Sequence, residues 1–467
     1  MPTGLRSAIW LFFVLSLLLV GGCAVPDSES ELLLIREAED TRDLGDGRLF
    51  GDLRDGTRPV RSAAARALGR IGNPAALNPL VSALRQEDTP EVRRDIAFAL
   101  GVLGETSAVL PLIEAIDSEL DAQASAELAI ALGRLGDATA LDALHALLDS
   151  SWGIIRERAI EALALIADAR SVPVLIEAMS DADPGVAWRA AYALEKIEGE
   201  LQIPALIDAT TSGEPMVRRA AVRSLGRLEA TDAVDAIVAV HDAAHGDWQL
   251  DVRIADALGR IGTADPAAVS CTEELLASGN FHVRVSALQA VGRAKWRELL
   301  PPVLDLRSDP VVDVRAAAYE ATADCLEGRT KELLWPGLED ASEAVVGTCL
   351  RRLGESNEDA VVEMLVEVVS SSIDRGLRLA ATQGLAAAGD GIELEQLITL
   401  LDDRDLFVAT TSAGALGERG DPEAVAPLIS VLDRPDAAAA DLRLAAATSL
   451  GQLGDERATE VLRTTLV

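Results

Sequence analysis

One phrase returns thirteen times between Val60 and the end of the chain, at spacings of 31 to 34 residues. Its clearest copies run from Val60-Arg61 to Leu68-Gly69-Arg70-Ile71-Gly72, from Val92-Arg93 to Leu100-Gly101-Val102-Leu103-Gly104, and from Leu442-Arg443 to Leu450-Gly451-Gln452-Leu453-Gly454. A fixed period of this length that carries two helical patterns cannot bury its apolar faces one unit at a time, so stacking of neighbours must create the core. The reading is an all-α chain, a right-handed α-solenoid of about thirteen two-helix repeats, rather than a globular enzyme.

Copies begin at Val60, Val92, Ala124, Ile155, Val186, Val217, Leu250, Val283, Val314, Val345, Leu377, Val408 and Leu442. In the first, Val60, Ala64, Ala67, Leu68 and Ile71 recur three or four apart and share one helical face. Gly72 tolerates the positive φ that ends a helix, and Asn73-Pro74 opens the next. Ala76, Leu77, Leu80, Val81 and Leu84 form the second stripe, and Glu87-Asp88-Thr89-Pro90 turns into the following copy. Runs of small residues such as Ala63-Ala64-Ala65 and Ala316-Ala317-Ala318 admit helices at roughly 8 to 10 Å. Leu163 to Ala167 and Leu194 to Glu198 lose the glycines, the copy from Val314 has Thr322 where leucine is expected, and the copies from Val217 and Leu250 run longer.

Recurring Val-Arg, Ala-Ala and Leu-Gly-x-x-Gly together resemble HEAT-like repeats of the short subclass named after phycobilisome lyases, over about Asp46 to Val467. The resemblance implies the fold, with first helices on a convex side and second helices on a concave one. It implies no single function, because the subclass occurs in proteins of unrelated roles.

At the amino terminus Arg6 precedes an apolar run, Ala8 to Val20, and then Gly21-Gly22-Cys23. The run is short for a membrane span of ~20 residues and has the form of a secretory signal. Val20 to Cys23 resembles a bacterial lipobox, which implies cleavage after residue 22 and lipid on Cys23; the other reading is an ordinary signal with an incidental cysteine. Ala24, in place of aspartate, leans toward an outer membrane. The organisation expected is a lipoprotein signal peptide over 1–22, a polar tether over 23–31, a helical cap over 32–59 and the repeats over 60–467. Ile35 to Asp40 and Asp46 to Leu49 also resemble the start of bacterial lipoproteins that join HEAT repeats to a cyclophilin-type prolyl isomerase; with the chain ending at Val467, this implies an envelope scaffold and not an isomerase.

A net charge of -34 excludes a nucleic-acid partner, whose phosphates need a basic footprint. Arginines concentrate in first helices and acids in second helices and their flanks, as in Glu105 to Asp121 and Asp390 to Asp405. Two readings stand. The second-helix face is a negative groove for a basic protein partner, or the acids keep the repeats soluble while the arginine after each leading valine pairs with acids of the adjacent turn.

With aromatics at 3%, Trp152, Trp188, Tyr192, Trp248 and Phe281 concentrate in copies four to eight, as a central partner-binding surface or as staples at helix entries. His241 and His245 share a helical face, yet two imidazoles do not make a metal site, so no metal and no cofactor are expected. Cys271, Cys325 and Cys349 are expected as buried free thiols. No P-loop, nucleophile elbow or catalytic carboxylate pair is present, so the chain reads as noncatalytic, with no small-molecule substrate. The leading expectation is a membrane-anchored interaction scaffold of the bacterial cell envelope. Its alternatives are an accessory factor that presents a substrate to a partner enzyme, and a structural spacer.

Overall fold

The computed structural model describes residues 28–465, apart from 45–46, 244–245, 327–330, 357, 389–391 and 435–438. Among these every regular element is helical, and the chain falls into two compact units, Met1–Ser224 and Leu225–Val467. The expected signal peptide, Cys23 and most of the tether lie outside the described residues. No described helix is long and apolar enough to cross a membrane.

In the first unit, first helices Arg58–Ile71, Pro90–Leu103, Ala122–Leu135, Gly153–Ile166 and Pro184–Leu194 alternate with second helices Leu77–Gln86, Val109–Ser118, Leu141–Leu147, Val172–Ala178 and Ile203–Ala209. Each of these first helices packs on the next, and the leading second helices on one another, which gives two layers. Val60, Ala64, Ala67 and Leu68 of the first stripe and Ala76, Leu80 and Leu84 of the second are buried between them, as the spacing predicts. Gly72 sits at φ 73°. Asn73 accepts from the Ala75 amide at 3.0 Å, though what it opens is the 3-10 turn Pro74–Ala76, with the helix proper starting at Leu77.

The inner glycine of the phrase sets how near the first helices come. A Cβ on Gly69, Gly101 or Gly133 would lie 2.6, 2.9 or 2.5 Å from the Cα of Ala99, Ala131 or Ala162 on the next copy. Only hydrogen in place of a side chain at the glycine permits that approach. Ala167, Glu229 and Lys295 take the left-handed conformation at the end of copies four, six and eight, so the loss of the outer glycine does not change how those helices stop.

The cap occupies the place of one more repeat. Ser28–Thr41 packs on the first helix of copy one and Arg48–Asp55 on both of its helices. The cap helix begins at Ser28, inside the stretch expected to be a tether.

In the second unit the same alternation continues from Trp248–Ile261 to Glu456–Thr465 around a core that includes Leu350, Leu365, Leu416 and Leu428. The second helix of copy nine is short, Lys331–Leu334, and continues as the 3-10 stretch Trp335–Glu339. Thr322 is fully buried where leucine was expected; its hydroxyl donates to Ala318 O at 2.7 Å, so the polar atom is satisfied inside the helix.

Candidate functional site

The arginine after the leading residue does not reach toward a ligand. Arg61 grips Glu87 with Nε and Nη2, both at 2.7 Å, and donates from Nη1 to Gly56 O at 3.0 Å. Arg93 repeats this with Glu119 at 2.6 and 2.7 Å and Glu87 O at 3.0 Å. Arg156 does so with Asp181 at 2.7 and 2.8 Å and Ser150 O at 2.8 Å, and Arg315 with Asp340, both contacts at 2.8 Å, and Asp309 O at 2.9 Å. Arg284 with Asp309 and Arg378 with Asp403 form the same pair. Each acid closes the turn as well, accepting the amide two residues on, as Thr89 N to Glu87 at 2.9 Å and Asp183 N to Asp181 at 2.7 Å. These clasps tie the start of a first helix to the end of its own second helix. Burial pushes the Glu87 and Glu119 carboxyls up, but hydrogen bonds from the arginine and the turn amide outweigh it and hold them below their ordinary value. For Asp181 and Asp340 the arginine hydrogen bond is the leading cause of the same downward shift.

This pairing was half legible. The arginine ladder was expected, but its acid stands 25 or 26 residues away, and the sequence carries a signal for it. Copies that open Ala124-Ser125, Val186-Ala187 and Val345-Val346 lack the arginine, and their turns carry Ser150, Ser212 and Ser372 in place of the acid. Those hydroxyls still accept the turn amides of Trp152, Glu214 and Asp374 at 3.3, 3.2 and 3.2 Å. In these three copies, where no arginine needs a counter-charge, the turn keeps a neutral acceptor.

Three clasps floor clefts between adjacent second helices of the first unit. A cleft of about 560 Å³ lies between Phe50, Leu53 and Arg54 of the cap and Pro79, Ala83 and Gln86, over Arg61 and Glu87. One of about 350 Å³ lies between Leu84 and Pro111, Ala115 and Ser118, over Arg93 and Glu119, with Leu120 at its rim. A third, of about 590 Å³, lies between His145 and Asp149 on one side and Val174, Glu177 and Ala178 on the other, over Arg156 and Asp181. Sequence reading did not find them, because each is made by residues a full period apart. In each, proline, alanine or aliphatic walls meet a polar rim.

Charge divides between the faces. First-helix arginines are engaged by acids of their own or the neighbouring copy, as Arg66 with Asp95 at 3.1 Å, Arg189 with Glu161 at 3.1 Å and Arg351 with Glu320 at 3.0 Å. On second helices and the turns after them, Asp117, Asp142, Asp149, Glu177 and Asp208 are exposed and form no ion pair among the described residues. The arginine ladder therefore holds in the first-helix layer, while the second-helix layer carries exposed acids.

The five aromatic candidates are divided between the two units. In the first unit Trp188 and Tyr192 lie 6.5 Å apart, half-buried, with Arg189 over Trp188 at 4.7 Å and Arg223 over Tyr192 at 4.7 Å. Trp152 caps its helix and is 61% exposed, so it is not a staple. In the second unit Trp248 and Phe281 are the first residues of their helices, and His282 stacks on Trp248 at 5.4 Å and touches Phe281 at 3.9 Å. Trp296, by contrast, is buried and donates to Thr263 O at 2.9 Å. Exposed Leu120 and Ile373, in turns equivalent to that of Trp152, went unnoticed because a lone aliphatic in a loop gives no pattern.

His241 bonds Asp251 at 2.9 Å; His245 lies outside the described residues, and among the described residues no cluster of metal-ligating type is present. His145 meets Ser171 at 3.0 Å, and burial lowers its pKa. Cys271, Cys325 and Cys349 are free and buried, as expected.

The family described as HEAT repeats matches residues 49–94, 77–164, 153–226, 172–244, 203–292 and 394–467. Importin beta, crystallised in an ammonium sulfate condition, is similar at a TM-score of 0.62 and 14% identity, over 95% of this chain and 72% of that one. Kap95p, whose binding induces the switch loops of RanGDP to adopt the GTP-bound conformation, is similar at 0.56 and 14%, over 95% and 73%. The complex of CpcE and CpcF of phycocyanin lyase from Nostoc sp. PCC7120 is 22% identical over 56% of this chain and 91% of that one, at a TM-score of 0.29 that carries no argument. At these identities the likeness shows the fold alone. Among curated proteins none matches the chain.

Proposed function

From the premise that this chain belongs to the HEAT-repeat family, we propose that it is a noncatalytic protein-interaction scaffold of the bacterial cell envelope. A lipid on Cys23 holds it at a membrane, the outer one facing the periplasm where the host has two, and its second-helix face receives a protein with a basic surface. The observation that carries the binding role is the recurrence of one cleft at equivalent positions of the first unit. A spacer needs no such repetition, and an enzyme site would gather its chemistry in one place. The anchor rests on Val20-Gly21-Gly22-Cys23, with acyl chains supplying the membrane affinity that a single chain lacks. Trp152, 61% exposed in the turn that joins copies three and four, whose second helices wall the third cleft, is the aromatic best placed to add contact area.

The test is crosslinking of the native protein in its own membrane, beside a Trp152→Ala variant and a Cys23→Ser variant. The expected result is one dominant partner, reduced in the first variant, and release from the membrane in the second. The same diffuse background from all three would favour a spacer. Retention of the Cys23→Ser protein at the membrane would remove the anchor and leave the scaffold.

A further inference from the structure

The clefts of the first unit differ from a general acidic surface in three respects that together specify an occupant. Their floors offer no free cation. The Nε, Nη1 and Nη2 atoms of Arg61, Arg93 and Arg156 are all committed to a carboxylate and a carbonyl, so an anionic ligand would find no donor there. Their walls are short and apolar, Pro79 and Ala83 in one, Pro111 and Ala115 in the next. Their mouths open at the carboxyl ends of second helices, where backbone carbonyls favour positive charge. Exposed Asp149 and Glu177 line the third without an ion pair among the described residues, exposed Glu114 lines the second and pairs with Arg85 at 2.9 Å, and exposed Asp88 lines the first, which Arg54 also borders. A long aliphatic stem that ends in a cation matches all three, because the stem covers proline and alanine while the head remains at a wet acidic rim.

We propose that these clefts are successive sockets for lysine or arginine side chains of one extended segment of a basic partner protein. Adjacent helices of a layer lie roughly 8 to 10 Å apart, and a polyproline II segment advances about 3.1 Å per residue with every third side chain on one face, so neighbouring sockets accept side chains about three residues apart. The first two clefts are one repeat apart, and the third follows two repeats later. The fit is a register as well as a charge. The inference rests on the scaffold reading and adds to it the chemistry and spacing of the ligand.

The experiment titrates the full chain against two labelled peptides of identical composition, one with lysine at every third position between serine and glycine, one with the same lysines in a single block. Fluorescence anisotropy at moderate and raised salt reads the binding. The expected result is at least tenfold tighter binding of the periodic peptide. That preference should be lost in a Glu114→Lys, Asp149→Lys, Glu177→Lys variant and kept when exposed Glu332, Glu418 and Glu423 of the second unit are reversed instead. Equal binding of both peptides, weakened alike by either set of reversals, would overturn the sockets and leave unspecific charge attraction. Failure of both peptides, while the crosslinked partner is retained, would overturn the sockets and leave the scaffold. Absence of any partner as well would remove both. Binding of anionic vesicles or single-stranded oligonucleotide in preference to either peptide would also overturn the proposal.

Discussion

Gly69, Gly101 and Gly133 let first helices meet nearly backbone to backbone in copies one to three, each against an alanine of the next copy. At the same register copy four carries Ala164 and copy five Glu195. The Glu195 side chain is only 1% exposed, yet it pairs with Arg223 at 3.2 Å and Lys196 at 3.4 Å, while its Oε2 is left without a hydrogen bond. Tyr192 lies under both cations, with Lys196 at 5.2 Å and Arg223 at 4.7 Å. One layer is thus built by two means: absence of a side chain in the early copies, and a compensated cluster of charge and ring in the fifth. The glycine encodes a distance, and where the distance is not kept the chain must supply polar chemistry instead.

The sharpest way to break the comparison is to give an early copy a side chain it cannot hold. Gly101→Leu places its Cβ 2.9 Å from Ala131 Cα and 3.1 Å from Ala131 Cβ. Backbone cannot yield as a flexible side chain can, so a loss of about 3 kcal/mol is expected, the upper range for overpacking. Ala164→Leu should cost less than ~1 kcal/mol. Urea denaturation of both variants reads the difference; equal losses would mean that copy four packs as closely as copy two.

Next in size is the clasp. Glu119 has a side chain 2% exposed and Arg93 one 20% exposed. Arg93→Ala would leave a carboxylate with no counter-charge in a nearly closed site, at an expected cost of about 2 kcal/mol. Removing Arg58, which meets Glu91 at 3.9 Å with both side chains half or more exposed, should change stability by less than ~0.5 kcal/mol. The clasps also fix the pH dependence. Glu87, Glu119, Asp181 and Asp340 have folded-state pKa values below their ordinary ones. The unfolded chain therefore binds these protons first as pH falls, and the stabilisation is complete above the ordinary carboxylate range near pH 4 and is lost below it. Denaturation midpoints that stay flat from pH 6 to pH 3 would contradict this.

Glu195→Gly restores the common residue of the register at the one copy that departs furthest. If the cluster compensates for a wider spacing, the variant should lose roughly 1 kcal/mol, because Arg223 and Lys196 lose their acid and the space stays unfilled. A gain in stability would instead mean that Glu195 is strained in place, and the two means of building the layer would not be equivalent.

The period, both helical stripes and the helix stops were legible because they depend on residues within one copy. The cap was legible as helices but not as a further repeat, since Arg48–Asp55 has none of the phrase and is placed only by packing against copy one. The clasps were legible as a recurring arginine but not as pairs, because the acid stands 25 or 26 residues on and a charge pattern does not say which acid an arginine reaches. The clefts were not legible, because their walls lie a period apart. Clustering of aromatics along the chain was legible, and within the units it brings Trp188 beside Tyr192 and Trp248 beside His282.

The smallest expected effect concerns the thiols, and it extends the comparison into the second unit. Burial pushes the Cys271 and Cys349 thiols up to about 12 and Cys325 up to about 11. At pH 8 about a thousandth of Cys325, and less of the others, would be thiolate even if a reagent could enter, and thiolate is the reactive form. Alkylation without denaturant should therefore be close to zero in the native state and should proceed only through opening of the copy that holds each cysteine. Cys271 lies in a second helix behind the glycine-spaced contact of Gly259 with Ala290. Cys325 lies in copy nine, where Ala323 stands at the register of that glycine, and Cys349 in copy ten, where Gly354 keeps that register against Gly384. If close glycine spacing is what makes a copy rigid, Cys325 should label faster than Cys271 in mild urea, although both are buried. Equal rates for all three thiols would show that the second unit opens as a whole and that the spacing of individual copies does not decide where it yields.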